Sequence, residues 1–486
     1  MPTIGITGFG GYVPRTRISR ASIAKANAWI NPGLMAYSKS ERTMCSADED
    51  SVTMAVEAAR NSLNKQVQGT AQALYFASTT FPFADRQNST IVAEALGLQE
   101  EIDTLDVSQS QRAGTSGLIA AFKALGDGRS GQIIYVSADC RHAKTASVQE
   151  LLFGDGAAAL TLGGDKMLAR FLGSSSVSRD FIDHFRADGA KFDHYFEERW
   201  IRDEGYSKIV PKAVQNLASK TGLKGSEVDH FIMPCIIRRV REDLVKQLGI
   251  KPEALRDDLS AGCGETGTAH PLLMLAHTLE EAGPGQKILV VGFGQGADAL
   301  LFETTDQISS FSPRHSLKSQ LAAGCVESNY QKYLAFKDMT EIEWGLRAED
   351  IPKIRPSAAW RDHRNFNSLV GGRCRECSTV QFPSAHICVN PDCRARDSQD
   401  EYRLADSPAK VASFTLDRLA FTPNPPLIYG MIEFDEGAKL MMEFSECDPE
   451  KVQVGLAMEM VFRIKQNDKR RNFRNYFWKA TPRTNA

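Results

Sequence analysis

The chain has 486 residues, more than one ordinary core organises, so two to four domain-sized units are expected. Its 42% hydrophobic and 24% charged residues allow a large buried core and exclude an intrinsically disordered polyelectrolyte. A net charge of −2, from 58 basic against 60 acidic residues, excludes a polycation built for nucleic acid or an anionic membrane.

Residues 1–305 alternate between short apolar strands and amphipathic helices. Strands are predicted at Thr3–Gly8, Ala73–Ser78, Gln132–Ser137, Ala157–Leu162, His230–Cys235 and Lys287–Gly292. Helices are predicted at Ser51–Leu63, Gly114–Leu125, Tyr206–Thr221 and His270–Ala282. This alternation indicates an α/β fold with buried sheets. QIIYVSA after DGRSG and QKILVVG after GPG are two copies of one pattern: helix, glycine turn, buried strand. They suggest a duplication with halves at 1–165 and 166–305. Beyond TTDQISSFSPRHS, residues 306–355 read as a helical linker. A cysteine-rich segment at 356–400 follows. Short strands then mark 401–486: KVASFTL, the hairpin LIYGMIEFDEGAKLMMEF, and VGLAMEMVFRI. Such strands after a metal knuckle suggest a small β-barrel of OB type.

No run approaches the ~18 apolar residues of a membrane span, and MPTIGITGFGGYVPR lacks a signal peptide's pattern. Six cysteines (Cys45, Cys140, Cys235, Cys263, Cys325, Cys447) are scattered. That usage fits a reducing compartment, so a cytoplasmic location is expected. The other four are clustered as Cys374-x2-Cys377 and Cys388-x4-Cys393. Four thiolates satisfy a tetrahedral structural zinc and leave no position open for catalysis. His386, nearby, is not counted as a ligand. The segment Lys469–Lys479 mixes cations with aromatics, which in an OB-fold can serve single-stranded nucleic acid. The near-neutral charge of the whole chain weighs against that reading.

Several segments carry a resemblance. GITGFGGYVPRTRIS, SADEDSVTMAVEAA, STTFPFADRQNSTIVAEALGL, QRAGTSGL and GPGQKILVVGFGQGADA resemble 3-hydroxy-3-methylglutaryl-CoA synthases of the archaeal type, in the thiolase superfamily. The resemblance covers residues 1–305. It implies a five-layered thiolase fold from two duplicated halves, a homodimer or higher oligomer, and an acyl-CoA as substrate. GGRCRECSTVQFPSAHICVNPDC, SFTLDRLAFTPNPP and YFWKATP resemble the small zinc-ribbon and OB-fold proteins that accompany thiolases. Here the two are fused, which fixes their stoichiometry.

The family's chemistry uses an acyl-accepting cysteine, a proton-transferring histidine and a glutamate. In the C-x-A-G-T motif, Gln111 takes the place of the cysteine; in S-E-S-x-P, Thr79 takes the place of the glutamate. Pro234 falls on the histidine of H-Q-P-N-G-K, with Arg239 on its lysine, and Gly264-Glu265-Thr266 matches G-N-T. The resemblance therefore implies the fold but not the usual acyl-cysteine. A replacement is sought in Cys263-Gly-Glu265-Thr-Gly-Thr-Ala-His270-Pro. There His270 is expected as acid/base, Glu265 as its partner, and Cys263 (or, less favoured, Cys235) as a thiol candidate. Gln111 orients a carbonyl, and the backbone at Gly294 gives an oxyanion contact. Arg86, Arg238, Arg239 and Arg17 are candidates for the CoA phosphates. The expected function is formation or cleavage of a C–C bond beside a thioester carbonyl, of Claisen, retro-Claisen or aldol type. The competing reading is a non-catalytic acyl-CoA-binding scaffold.

Overall fold

The computed structural model describes residues 3–63, 69–126, 131–343 and 354–483. Most of the DGRSG turn and residues 344–353 of the expected linker lie outside them. The chain divides into two compact units, one reaching Lys337 and the other mainly Asp338–Ala486.

The first unit is organised by a nine-stranded sheet. Its strands are β1 (Gly5–Tyr12), β2 (Ala71–Ala77), β3 (Asp103–Val107), β4 (Gln132–Cys140), β5 (Asp155–Gly163), β6 (Ala169–Ser178), β7 (His230–Ile232), β8 (Lys287–Phe293) and β9 (Gly296–Thr304). The spatial order is β7-β8-β9-β6-β1-β5-β4-β2-β3. From the centre outward, each half repeats the same pairings. β1 is antiparallel to β5, β5 antiparallel to β4, and β4 parallel to β2. Likewise β6 is antiparallel to β9, β9 antiparallel to β8, and β8 parallel to β7. The halves join through two residue pairs, Gly5↔Arg170 and Ile6↔Ala169. Even the outermost strand has a remnant counterpart: β3 pairs parallel with β2, and a lone parallel bridge, Phe231↔Leu255, stands at the other end.

Four helices complete the layers: α1 (Ser51–Ser62), α2 (Ala113–Gly126), α3 (Ser207–Thr221) and α4 (His270–Glu281). α1 packs on β1, β4 and β5, and α3 on β6 and β9. α2 and α4 touch each other and strands of both halves, so they form the central layer. Their apolar positions, among them Leu118, Phe122, Leu272 and Leu275, are buried in one core cluster. The start of α1 is fixed by a capping box: Asp50 accepts from Thr53 N at 3.0 Å and Thr53 Oγ1 accepts from Asp50 N at 2.8 Å.

Residues 306–337 differ from the expected linker. Cys325–Glu327 pairs parallel with Thr16–Ser19, Tyr333 is buried, and Lys337 Nζ meets Asp155 Oδ2 at 2.5 Å. This largely polar segment has few local signals and joins the first unit because its partners are remote in sequence.

In the second unit, Val370–Cys374 pairs with Val380–Gln381 and with Gln399–Arg403. A five-stranded antiparallel sheet follows: β10 (Ala409–Asp417), β11 (Leu427–Phe434), β12 (Lys439–Glu443), β13 (Ala457–Asp468) and β14 (Phe473–Pro482), in the order β12-β11-β10-β13-β14. A bridge between Phe444 and Ala480 closes it. The predicted hairpin is β11–β12, turning at Gly437 with φ +92°.

Candidate active site

Four segments of the first unit meet at a cavity of about 260 Å³. They are the N-terminus of α2, the residues after β4, the loop before α4, and a hairpin that pairs His184–Phe185 with His194–Tyr195.

The supporting contacts are buried and fully bonded. Asp298, with no exposure, accepts from Arg112 Nη1 (3.0 Å), Thr115 Oγ1 (3.0 Å) and Ser116 Oγ (2.6 Å). It fixes the first turn of α2 and therefore the backbone at Gln111. Asp139, equally buried, accepts from the hydroxyls of Ser78, Thr79, Thr80 and Thr268 and from the Thr79 and Thr268 amides, at 2.8–3.1 Å. It ties the Ser78–Thr80 turn to the loop before α4. That loop passes so close that a Cβ at Gly267 (φ +61°) would lie 2.4 Å from Asp139 Oδ2.

Arg141 stands at the centre, 1% exposed at its side chain. It ion-pairs with Glu265, meets Asp193 Oδ2 at 3.1 Å and the Tyr195 hydroxyl at 3.2 Å, and stacks 3.8 Å above the Phe153 ring. Burial opposes its charge, but Glu265, Tyr195 and Asp193 outweigh burial and hold the guanidinium above its ordinary value. Glu265 also accepts from the Gly267 amide at 2.8 Å.

The Gln111 amide is oriented by its neighbours. One terminal atom lies 2.8 and 3.1 Å from the two Arg141 Nη atoms and 3.1 Å from His184 Nε2. Arginine only donates, so that atom is the oxygen. The amide NH2 is then left to serve a further acceptor. His184 Nδ1 faces Asp183 Oδ2 at 2.8 Å, and its ring stacks on Tyr195 at 5.2 Å. The two ring nitrogens thus face Asp183 Oδ2 and the Gln111 amide oxygen. Burial holds the Tyr195 phenol well above its ordinary value, so it is a neutral O–H. Gln111, Asp183, Tyr195 and Glu265 all line the cavity.

Comparison with known proteins identifies this site's lineage. The chain is 30% identical over 347 residues to hydroxymethylglutaryl-CoA synthase of Methanosarcina mazei, covering 69% of this chain and 98% of the relative. It is 32% identical over 314 residues to that of Aeropyrum pernix, covering 64% and 87%. The chain belongs to the hydroxymethylglutaryl-CoA synthase family. Residues 218–302 match the 3-oxoacyl-[acyl-carrier-protein] synthase III C-terminal family. Residues 367–398 match the ChsH2 rubredoxin-like zinc ribbon, and residues 402–463 the ChsH2 C-terminal OB-fold. Solved structures agree on the fold. An HMG-CoA synthase complexed with CoA aligns at TM-score 0.58 and 16% identity, over 73% of this chain and 95% of its own. The curacin-pathway HMG synthase bound to an acetyl-donor carrier protein aligns at 0.60 and 15%, over 82% and 100%. The hydroxymethylglutaryl-CoA synthase-like chain is thus a thiolase-superfamily enzyme carrying a zinc ribbon and an OB-fold.

Several expected residues stand differently in this family member. His270 is 2% exposed and both its nitrogens are bound to backbone: Nδ1 accepts from Thr266 N at 3.1 Å and Nε2 donates to Asp258 O at 2.7 Å. It caps a loop and presents no nitrogen to the cavity. Cys263 is fully buried against Thr43, and burial pushes its thiol up to about 11. Cys235 lines the cavity, but burial pushes its thiol up to about 12. The Gly294 amide donates to Gly296 O at 3.0 Å, and its carbonyl accepts from Ser110 and Arg112; it offers no oxyanion contact. Arg17 has no exposed surface and cannot meet a phosphate. Arg86 and Arg239 are exposed away from the cavity lining, whereas Arg238 sits at the rim with its guanidinium 4.9 Å from the Tyr37 ring. Of the expected catalytic residues, Gln111 and Glu265 come together.

Arg141, Asp183, His184 and Tyr195 were not singled out in the sequence. A signal exists: Ile182-Asp-His-Phe185 and Phe192-Asp-His-Tyr195 repeat one apolar-Asp-His-aromatic pattern ten residues apart. The hairpin pairs them, stacking His184 on Tyr195 and Phe185 on His194.

In the second unit the four cysteine sulfurs lie within 4.8 Å of one another, with Cys374–Cys393 at 3.9 Å and Cys377–Cys388 at 3.6 Å. Zn–S bonds of ~2.3 Å give a tetrahedron with edges of about 3.8 Å, so these residues fit a structural zinc. In the Lys469–Lys479 segment Trp478 and Tyr476 are buried, Phe473 and Phe477 are half-buried, and Lys479 pairs with Glu443 at 3.0 Å.

Proposed function

We propose that this enzyme makes or breaks the C–C bond beside an acyl-CoA carbonyl by aldol-type chemistry, with no acyl-cysteine. One observation carries the reading: at the position of the usual nucleophile, the Gln111 amide oxygen is engaged by Arg141 and by the Asp183–His184 pair. Neither Gln111 nor the protonated cavity thiol of Cys235 forms a thioester. An aldol step needs only proton transfer and a stabilised enolate.

In the cleavage direction, His184 Nε2, deprotonated at the start of the step, takes the proton of a β-hydroxyl while Asp183 steadies Nδ1. The Cα–Cβ electrons move into the thioester as an enolate, and the β-carbon leaves as a carbonyl. The Gln111 NH2, at the positive end of α2, and the Tyr195 O–H donate to the enolate oxygen. His184 then returns the proton to Cα, giving the shorter acyl-CoA. Arg141 holds Gln111, Tyr195 and Glu265 in register. Arg238, at the rim, is the cavity residue suited to a CoA phosphate.

The test is mass-spectrometric product analysis with acetyl-CoA plus ketones or aldehydes, and with β-hydroxyacyl-CoAs, for the native enzyme and for His184→Ala and His270→Ala. Turnover lost in His184→Ala but kept in His270→Ala supports the reading. No turnover with CoA still bound returns the weight to a non-catalytic acyl-CoA-binding scaffold.

A further inference from the structure

We propose that the cavity accepts an acyl group ending in an uncharged alkyl chain and rejects one carrying a carboxylate. This rests on the reading that the chain binds acyl-CoA, and it adds the class of acyl group.

The walls are aliphatic and aromatic: Val148, Leu152, Ile201, Ile236, Ile237 and Phe293. Ile201 begins a π-helical turn, Ile201–Tyr206, that brings both of its end residues into the lining. The polar groups inside are acidic or neutral. Asp183 and Glu265 contribute carboxylates, and Glu198 adds a third at the exposed rim.

The charge count decides against an anionic substrate. Arg141, which holds the lining residues Gln111 and Glu265, is committed to Glu265 and Asp193. Arg186, which shares Asp193 with it, is committed to Asp193 and the Thr79 carbonyl. The imidazole of His184 is committed to Asp183. Arg238 is the only cation among the described lining residues, and it stands exposed at the mouth. A carboxylate carried in beside Asp183 and Glu265 would lose its hydration and find no uncommitted cation there among the described lining residues. A methylene chain would meet apolar walls and gain by burial. The hydroxymethylglutaryl group named in the relatives carries a free carboxylate, so this preference sets the chain apart from them.

The experiment is equilibrium binding to the full-length protein, read by calorimetry without turnover. The probes are propanoyl-, pentanoyl- and heptanoyl-CoA, with glutaryl-CoA as the carboxylate-tipped match for pentanoyl-CoA. Affinity should rise about threefold to fourfold per added methylene. Glutaryl-CoA should bind at least about tenfold more weakly than pentanoyl-CoA. Ile237→Trp should flatten the chain-length dependence without weakening free CoA; Val148→Trp serves if the first variant misfolds. Glutaryl-CoA binding as tightly as pentanoyl-CoA overturns the proposal, as does a flat series in the native protein. Because binding is read alone, a failure of the catalytic reading shows as absent turnover with the alkyl preference intact.

Discussion

Two histidines in the first unit divide the roles that a single imidazole was expected to play. His270 follows a glycine-rich loop and precedes Pro271 at the start of α4, and both its nitrogens are spent on backbone. His184 lies in a two-residue strand, with one nitrogen on Asp183 and the other toward the cavity-lining Gln111. Burial lowers the basicity of His270, keeping it neutral as a fixed donor and acceptor. The difference lies in the second nitrogen: His184 Nε2 meets a side chain of the cavity wall, whereas His270 Nε2 meets only backbone.

Substitution separates the two most sharply. His184→Ala should cost about 10²–10⁴ in turnover with a small change in melting temperature, since its side chain is partly exposed at 15%. Gln111→Leu should follow, with a loss on the order of 10² in kcat and little change in CoA affinity. His270→Ala should reverse the pattern: about 2–4 kcal/mol of stability lost from a buried cavity and two broken hydrogen bonds, with the kcat of the folded fraction within a few-fold of native. Steady-state kinetics beside thermal melts read both axes. A His270→Ala enzyme that folds normally but turns over no better than His184→Ala would contradict the assignment.

Much of the scaffold was legible because it depends on local pattern. The buried strand β8 and the helices α1, α2 and α4 fall within a residue or two of the predicted spans, and β4 runs three residues past its predicted end, since apolar runs and helical periodicity are properties of neighbours in sequence. The duplication was visible only as two similar turns; its proof lies in the mirrored strand order, which no single segment encodes. Gln111 was found by position in a motif. His184 and Arg141 were missed because their importance comes from contacts across 73 and 124 residues of chain, His184 to Gln111 and Arg141 to Glu265. His270 was overweighted for the opposite reason: crowding of Cys263, Glu265 and His270 within eight residues says nothing about which way each side chain points. Their shared loop turns Glu265 into the cavity and His270 into the protein.

Acid sharpens the comparison at smaller amplitude. His270 and His142 both hold their protons less readily when folded, His142 pulled down to about 3 by burial and the nearby Lys337. Below about pH 6.5 the unfolded chain takes up protons that the folded chain refuses. Stability present above that pH is therefore lost as pH falls, by up to about 1.4 kcal/mol per unit for each group. Chemical denaturation between pH 8 and 5 should show this slope, and His270→Gln should reduce it, whatever its stability at pH 8. An unchanged slope would mean that His270 already carries its proton in the fold.

The smallest effect concerns whether the cavity can do without a thiolate. Cys235 is the cysteine that lines the cavity among the described residues, and burial holds its thiol near 12 against an ordinary 9.0. At neutral pH the thiolate fraction is then negligible, and so is its reactivity toward an alkylating agent. Brief iodoacetamide treatment of the native enzyme should modify the exposed Cys325 and leave Cys235 and Cys263 unmodified, as read by peptide mass spectrometry. Activity should persist after that treatment, because the proposed step moves its proton through His184 and not through sulfur. Rapid labelling of Cys235 with parallel loss of turnover would restore a cysteine nucleophile one wall away from Gln111, and the role assigned to the Asp183–His184 pair would shrink to activating that thiol.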